Sequence, residues 1–194
     1  MGERETAEGT RAGPRWLPGD PTGRAVIDRI VRVDHAGEYG ATRIYAGQLA
    51  VLGRDHPAAA EIRRMAEQEE RHLKTFEKLM VERRVRPTAL APLWHVVGFA
   101  LGAGTALLGE RAAMACTVAV EETIDAHYAG QAAVLEGLPE EAPLKAVVEE
   151  FRAEELEHRD TALAHGAEGA PGYQVLSAAI KAGSRLAVWL SERV

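Results

Sequence analysis

Two histidines of this chain have a glutamate three residues before them, in Glu69-Glu70-Arg71-His72 and Glu155-Leu156-Glu157-His158. None of the other histidines does. On an α-helix, at about 100° per residue, positions i and i+3 lie roughly 60° apart and one turn along. A carboxylate and an imidazole at that spacing converge on one point, so two such helices can offer two metal ions one imidazole each. Two further carboxylates, Glu38 and Glu121, stand 31 and 34 residues ahead of Glu69 and Glu155, and they can complete or bridge the pair. Oxygen and imidazole donors suit iron or manganese, whereas a thiolate set would favour zinc or an iron–sulfur cluster. Four carboxylates roughly balance two divalent cations. Without cations, four gathered in a core would repel one another and be costly to bury. Glu121 makes that cost concrete, because it ends the run Ala115-Cys116-Thr117-Val118-Ala119-Val120.

The choice among neighbouring acids stays open in places. Glu122 could stand in for Glu121, and Glu70 or Glu154 could lie just outside the donor set. The i,i+3 rule selects Glu69 and Glu155, since only they share a face with His72 and His158. A single Glu-x-x-His reads most simply as solvated helix surface. Two copies at matched positions argue against that reading.

Helices must position these groups. Alanine is abundant and runs of Val, Ile and Thr are scarce, which favours helix over strand,. Periodicity and breakers predict six helical segments. They run from about Gly23 to Gly53, Pro57 to Val85, just after Pro92 to near Gly109, Glu110 to Glu136, Pro143 to His165, and Pro171 to the C-terminus. The first and second segments form one pair, the fourth and fifth another. Each pair carries a lone carboxylate on its first helix and Glu-x-x-His on its second, a degenerate internal duplication. The expected fold is all-α, a ferritin-like four-helix bundle with additional membrane-facing helices. Bundles of that kind hold two iron or manganese ions with this donor set. The expected domain division is a disordered leader over 1–22, rich in Gly, Pro, Arg and Glu, and a ferritin-like di-iron domain over 23–194,.

Bulk properties exclude several classes. The net charge of −6 argues against a nucleic-acid binder,. The single cysteine, Cys116, rules out an intramolecular disulfide and a multi-thiolate metal site,. No Gly-x-Gly-x-x-Gly follows a strand, so a Rossmann nucleotide site is not indicated. The leader lacks the apolar core of a secretory signal, and Glu3, Glu5 and Glu8 sit poorly in a mitochondrial transit peptide,.

From Pro87 to Gly109 the chain has 23 residues without a formal charge, among them Leu93, Trp94, Val96, Val97, Phe99 and Leu101. Length alone would permit a membrane span. Pro92 and the glycines at 98, 102 and 104 count against a straight one. Arg83, Arg84, Arg86 and Arg111 flank the segment, and the stretch from Ala170 to the C-terminus is also basic. Two basic, apolar segments on an acidic chain suggest one face lying on an anionic membrane. The competing reading is a buried core helix or an oligomer interface.

The chain closely resembles the demethoxyubiquinone hydroxylase family, the di-iron monooxygenases of late ubiquinone biosynthesis. The resemblance covers nearly all of residues 24–194. It is carried by Arg32–Ala41, Arg43–Gly47, Arg84–Gly109, Met114–Glu122, Glu154–His158 and Leu190–Arg193. It implies metal ligands at Glu38, Glu69, His72, Glu121, Glu155 and His158, the six reached from spacing. His127 and Tyr128 match a His-Tyr pair near the family's site and are the catalytic candidates beside the metals. Asp34 and Tyr45 are further candidates, Asp34 as acceptor for a ligand imidazole and Tyr45 equally readable as core. The implied reaction is O₂-dependent hydroxylation of a demethoxyubiquinol ring at two Fe ions, with NADH as electron donor. The implied setting is the cytoplasmic face of a bacterial cell membrane, or alternatively the matrix side of the mitochondrial inner membrane. A lipid-binding accessory protein and a homo-oligomer are the implied protein partners.

Overall fold

The computed structural model of the protein describes residues 23–194, so the expected leader lies outside the described residues. Six α-helices account for most of them: α1 (Gly23–Leu52), α2 (Ala59–Arg83), α3 (Ala91–Leu107), α4 (Glu110–Leu135), α5 (Ala142–Ala164) and α6 (Tyr173–Ser191). Single 3₁₀ turns at Pro139–Glu141 and Ala167–Gly169 precede α5 and α6. No strand occurs among the described residues, and the all-α expectation holds. Each helix boundary falls within about three residues of the predicted one, the largest difference being α6, which stops at Ser191 short of the C-terminus,.

Helices α1, α2, α4 and α5 make the four-helix bundle. Its core has two apolar layers. Ile27, Ile30, Val31, Phe76, Leu135 and Val148 pack at one end, and Ile62, Met65, Met114, Val118 and Ala162 at the other. In all four helices the six predicted donors fall between these layers. The bundle is therefore a polar layer clamped between two greasy ones, which excludes water from its middle.

Helices α3 and α6 lie outside the bundle. α3 runs alongside α1 at a spacing only glycine permits. A Cβ on Gly102 would sit 1.9 Å from the carbonyl oxygen of Ile44, and one on Gly47 would sit 2.2 Å from that of Phe99. The glycines that weaken α3 as a straight apolar span thus let its backbone touch α1. Trp94 on α3 donates to the Ser191 hydroxyl on α6 at 2.9 Å, tying the two outer helices together. Their other faces are uncovered: Val96, Leu107, Leu108, Val175, Leu186 and Trp189 are all at least half exposed. No helix among the described residues is long and apolar enough to cross a membrane.

Candidate metal centre

Glu38 comes from α1, Glu69 and His72 from α2, Glu121 from α4, and Glu155 and His158 from α5; all six are buried,. Their donor atoms form two overlapping groups, Glu38–Glu69–His72–Glu155 and Glu69–Glu121–Glu155–His158, each spanning no more than 4.8 Å. Glu69 and Glu155 belong to both. His72 Nδ1 lies 3.1 Å from Glu155 Oε1 and 3.3 Å from Glu38 Oε2. His158 Nδ1 lies 3.2 Å from Glu155 Oε2 and 3.1 Å from Glu69 Oε1. One oxygen of Glu155 therefore faces each imidazole, and Glu69 Oε2 approaches His72 at 3.9 Å to do the same. Both carboxylates have the geometry of bridges. Glu38 and Glu121 cap the two ends.

Both Nδ1 atoms, both oxygens of Glu69 and Glu155, and Oε2 of Glu38 are buried without a hydrogen-bond partner. Protein interiors rarely leave such atoms unpaired. Here seven of them face one another, an arrangement that two cations would satisfy. The donor set of four carboxylates and two imidazoles fits a pair of divalent ions of the iron or manganese kind. In the cation-free cluster, burial and then the charge of Glu155 push Glu69 and Glu121 well above the usual carboxylate range. Burial lowers the pKa of His72, but contacts with Glu155 and Glu38 outweigh it and raise it to about 10.

A shell of hydrogen bonds orients the donors. Tyr45 donates to Glu121 Oε1 at 2.8 Å, and Tyr128 donates to Glu38 Oε1. His72 Nε2 meets Glu154 Oε2 at 2.6 Å, and His158 Nε2 meets Gln68 Oε1 at 3.1 Å. A carboxylate and an amide oxygen can only accept, so Nε2 carries a proton in both rings and Nδ1 is the nitrogen turned toward the centre, free to bind an ion once any proton on it is displaced. Arg71 donates to Glu154 from behind, and Arg64 donates to Gln68 at 2.8 Å.

Three expectations are refined by this geometry. Asp34 does not receive a ligand imidazole. It accepts from Gln131 at 2.6 Å and lies 3.5 Å from His127. On α1 it faces α4, whereas both Nε2 atoms point to the outer side of α2 and α5. Burial raises the Asp34 pKa to about 6 despite the opposing pull of His127 and Gln131. His127 contacts Asp34 and Gln131 and none of the six donors, whereas Tyr128 and Tyr45 both touch them. Glu70 lies outside, 3.6 Å from Lys74 on the helix surface. Gln68, Arg64, Arg71 and Gln131 were not anticipated. A signal for Gln68 existed, because it precedes His72 by the four residues that separate Glu154 from His158.

Beside the centre, α1, α3, α4 and α6 enclose an apolar groove of about 480 Å³, lined by Gly37, Gly40, Ile44, Val97, Val120 and Ile124 among others. Gly37 and Val120 are the sequence neighbours of Glu38 and Glu121.

Residues 25–191 match the family model described as ubiquinone biosynthesis protein COQ7. The chain is 61% identical over 188 residues to a 3-demethoxyubiquinol 3-hydroxylase of Rhodospirillum rubrum, covering 97% of this chain and 88% of that one. It is 59% identical over 180 residues to the human protein named NADPH-dependent 3-demethoxyubiquinone 3-hydroxylase, mitochondrial, covering 90% of this chain and 81% of that one. It is 44% identical over 184 residues to the Saccharomyces cerevisiae 5-demethoxyubiquinone hydroxylase, mitochondrial, covering 88% and 79%.

Proposed function

This chain belongs to the ubiquinone biosynthesis protein COQ7 family, and from that premise we infer that it is an oxygenase that hydroxylates the ring of a demethoxyubiquinol. The observation that carries the reading is the set of seven orphaned buried donor atoms on five side chains, which with Glu121 gather six side chains from four helices round one centre. We take the ions they hold to be two irons, and residues 23–194 to be one di-iron domain. When reduced, such a pair supplies the activation of O₂ that an organic side chain cannot.

The chain's own residues do the rest. Glu69 and Glu155 span the two positions and hold them together. His72 and His158 turn their Nδ1 atoms toward the centre because their Nε2 protons are engaged on the outer side. Tyr45 and Tyr128 hold the capping carboxylates and are themselves buried, so their protons stay put; burial and the neighbouring carboxylates push both phenols well above their usual pKa. The apolar layers above and below keep bulk water from the site. A polyprenyl quinol is mostly hydrocarbon, and the apolar groove beside Glu38 and Glu121 matches it in polarity and falls in the size range of small-molecule sites,. The exposed apolar faces of α3 and α6 would rest on the membrane that contains the quinol. The location would be the cytoplasmic face of a bacterial membrane, with the mitochondrial inner membrane as the alternative suggested by the names of the human and yeast relatives. The reducing equivalents would come from a reduced nicotinamide, NADH on the sequence reading and NADPH in the name of the human relative.

The reaction consumes one quinol ring C–H, one O₂, two electrons and two protons, and yields the ring hydroxyl and one water. The experiment is turnover of iron-loaded protein with a short-chain demethoxyquinol, a reductant and ¹⁸O₂. One labelled oxygen in the hydroxylated ring is expected. Iron binding with no labelled product would favour storage and overturn the assignment.

A further inference from the structure

The internal duplication is closest to identity at the centre itself. The step of 83 residues that carries Glu38 onto Glu121 also carries Tyr45 onto Tyr128 and Gln48 onto Gln131. The step of 86 that carries His72 onto His158 also carries Glu69 onto Glu155. The contacts repeat as well: Tyr45 of the first half holds Glu121 of the second, and Tyr128 of the second holds Glu38 of the first. The identity breaks at the residue four before each motif histidine, Gln68 in the first half and Glu154 in the second. Those two side chains back the imidazoles, each reaching across to the other half. His72 is therefore backed by a carboxylate at 2.6 Å, and His158 by a neutral amide oxygen at 3.1 Å. Each arm ends in an arginine, Arg71 behind Glu154 and Arg64 behind Gln68. The difference between the arms is one carboxylate.

We propose that Glu154 and Gln68 are positioning residues that make the two metal positions unequal, so that the ion beside His72 and Glu38 is held more tightly than the ion beside His158 and Glu121. A hydrogen bond from an imidazole N–H to a carboxylate is shorter and stronger than one to an amide. It fixes the ring more firmly and pushes electron density toward Nδ1, which becomes the better donor. In both arms one oxygen serves the imidazole and an arginine together, so Gln68 does less because it is neutral. The centre has a strong side and a weak side, and the weak side is where an ion is lost first.

This inference rests on the metal-pair reading above, and one experiment separates the two. The protein is loaded anaerobically with ferrous ion and mixed with excess ferrous chelator, and iron release is followed in time. The unaltered chain is expected to release two ions per chain in two phases of equal size. Glu154→Gln should speed the slow phase about 10-fold or more and leave the fast phase alone. Gln68→Glu should slow the fast phase by a similar factor. The double exchange Gln68→Glu with Glu154→Gln should restore two phases. Both exchanges are isosteric, and Gln68→Glu alone decides the matter if Glu154→Gln fails to fold. A merely structural role would make either substitution loosen the site, so faster release from Gln68→Glu overturns the inference, as does a single two-ion phase in the unaltered chain. Fewer than two ions per unaltered chain would remove the metal-pair reading itself.

Discussion

Carboxylates that no cation yet balances have consequences for acid–base behaviour. In the metal-free chain burial raises Glu69 and Glu121 above the carboxylate range, so they give up their protons later than free carboxyls, and His72, raised to about 10, holds its extra proton at neutral pH. Metal binding must displace those protons, and raising the pH lowers the cost. Ferrous affinity measured anaerobically by competition should therefore increase from about pH 6 to about pH 8. The same shifts act on stability with a definite sign. A group whose pKa is raised by folding stabilises the fold below its unfolded value, and that contribution is lost as pH rises through the folded value. Asp34, raised to about 6, acts in the same direction. The Tm of metal-free protein should thus fall between about pH 5 and pH 8 while that of loaded protein falls less, and a metal-free Tm that climbs over this range would contradict the assignment. Glu121→Ala and His158→Ala should each abolish hydroxylation with loss of iron; full activity in either refutes its place in the centre. Glu121→Gln should also lose activity yet raise the metal-free Tm toward alkaline pH, because the amide cannot ionise in the core and still leaves Tyr45 an acceptor,. Four of the candidate donors stand out in the sequence because i,i+3 spacing on a helix is a geometric constraint, whereas Glu38 and Glu121 rest on their matched positions ahead of the two motifs,. Gln68 is harder to read, since its matched position four residues before His72 gains a meaning only once its oxygen is found behind an imidazole.

Helix by helix, hydrophobic period and breakers located the six α-helices: Gly53, Gly137 and Gly166 follow α1, α4 and α5 closely, whereas α2 stops at Arg84 in the left-handed conformation. What α3 packs against was not legible, since an apolar run with glycines reads alike for a core helix, an interface or a membrane surface. The structure assigns those glycines different roles. Gly102 touches the backbone of Ile44, while Gly104, two residues on, faces open space. Gly102→Ala should cost about 2–3 kcal/mol or more by forcing α3 off α1. Gly104→Ala should be neutral or stabilising by up to about 1 kcal/mol, since alanine favours helix and meets nothing. Chemical denaturation of the two variants distinguishes this packing from a loosely docked α3, in which they would behave alike.

At the level of the whole molecule, the acidic bundle presents most of its uncovered large apolar residues on or beside α3 and α6. Protein of this shape should float with anionic vesicles, less so at high salt as the arginines are screened. Val96→Glu with Trp189→Glu should abolish flotation while leaving the iron content unchanged. Co-flotation unaffected by both substitutions would mean another face touches the bilayer. All of this depends on a polar layer, sealed between two apolar ones, that holds a pair of ions. The direct measurement is Mössbauer spectroscopy of iron-loaded, oxidised protein with iron quantified per chain. Two irons per chain, magnetically coupled through the shared carboxylates Glu69 and Glu155, are the expected result; a single uncoupled iron, or none, would contradict it.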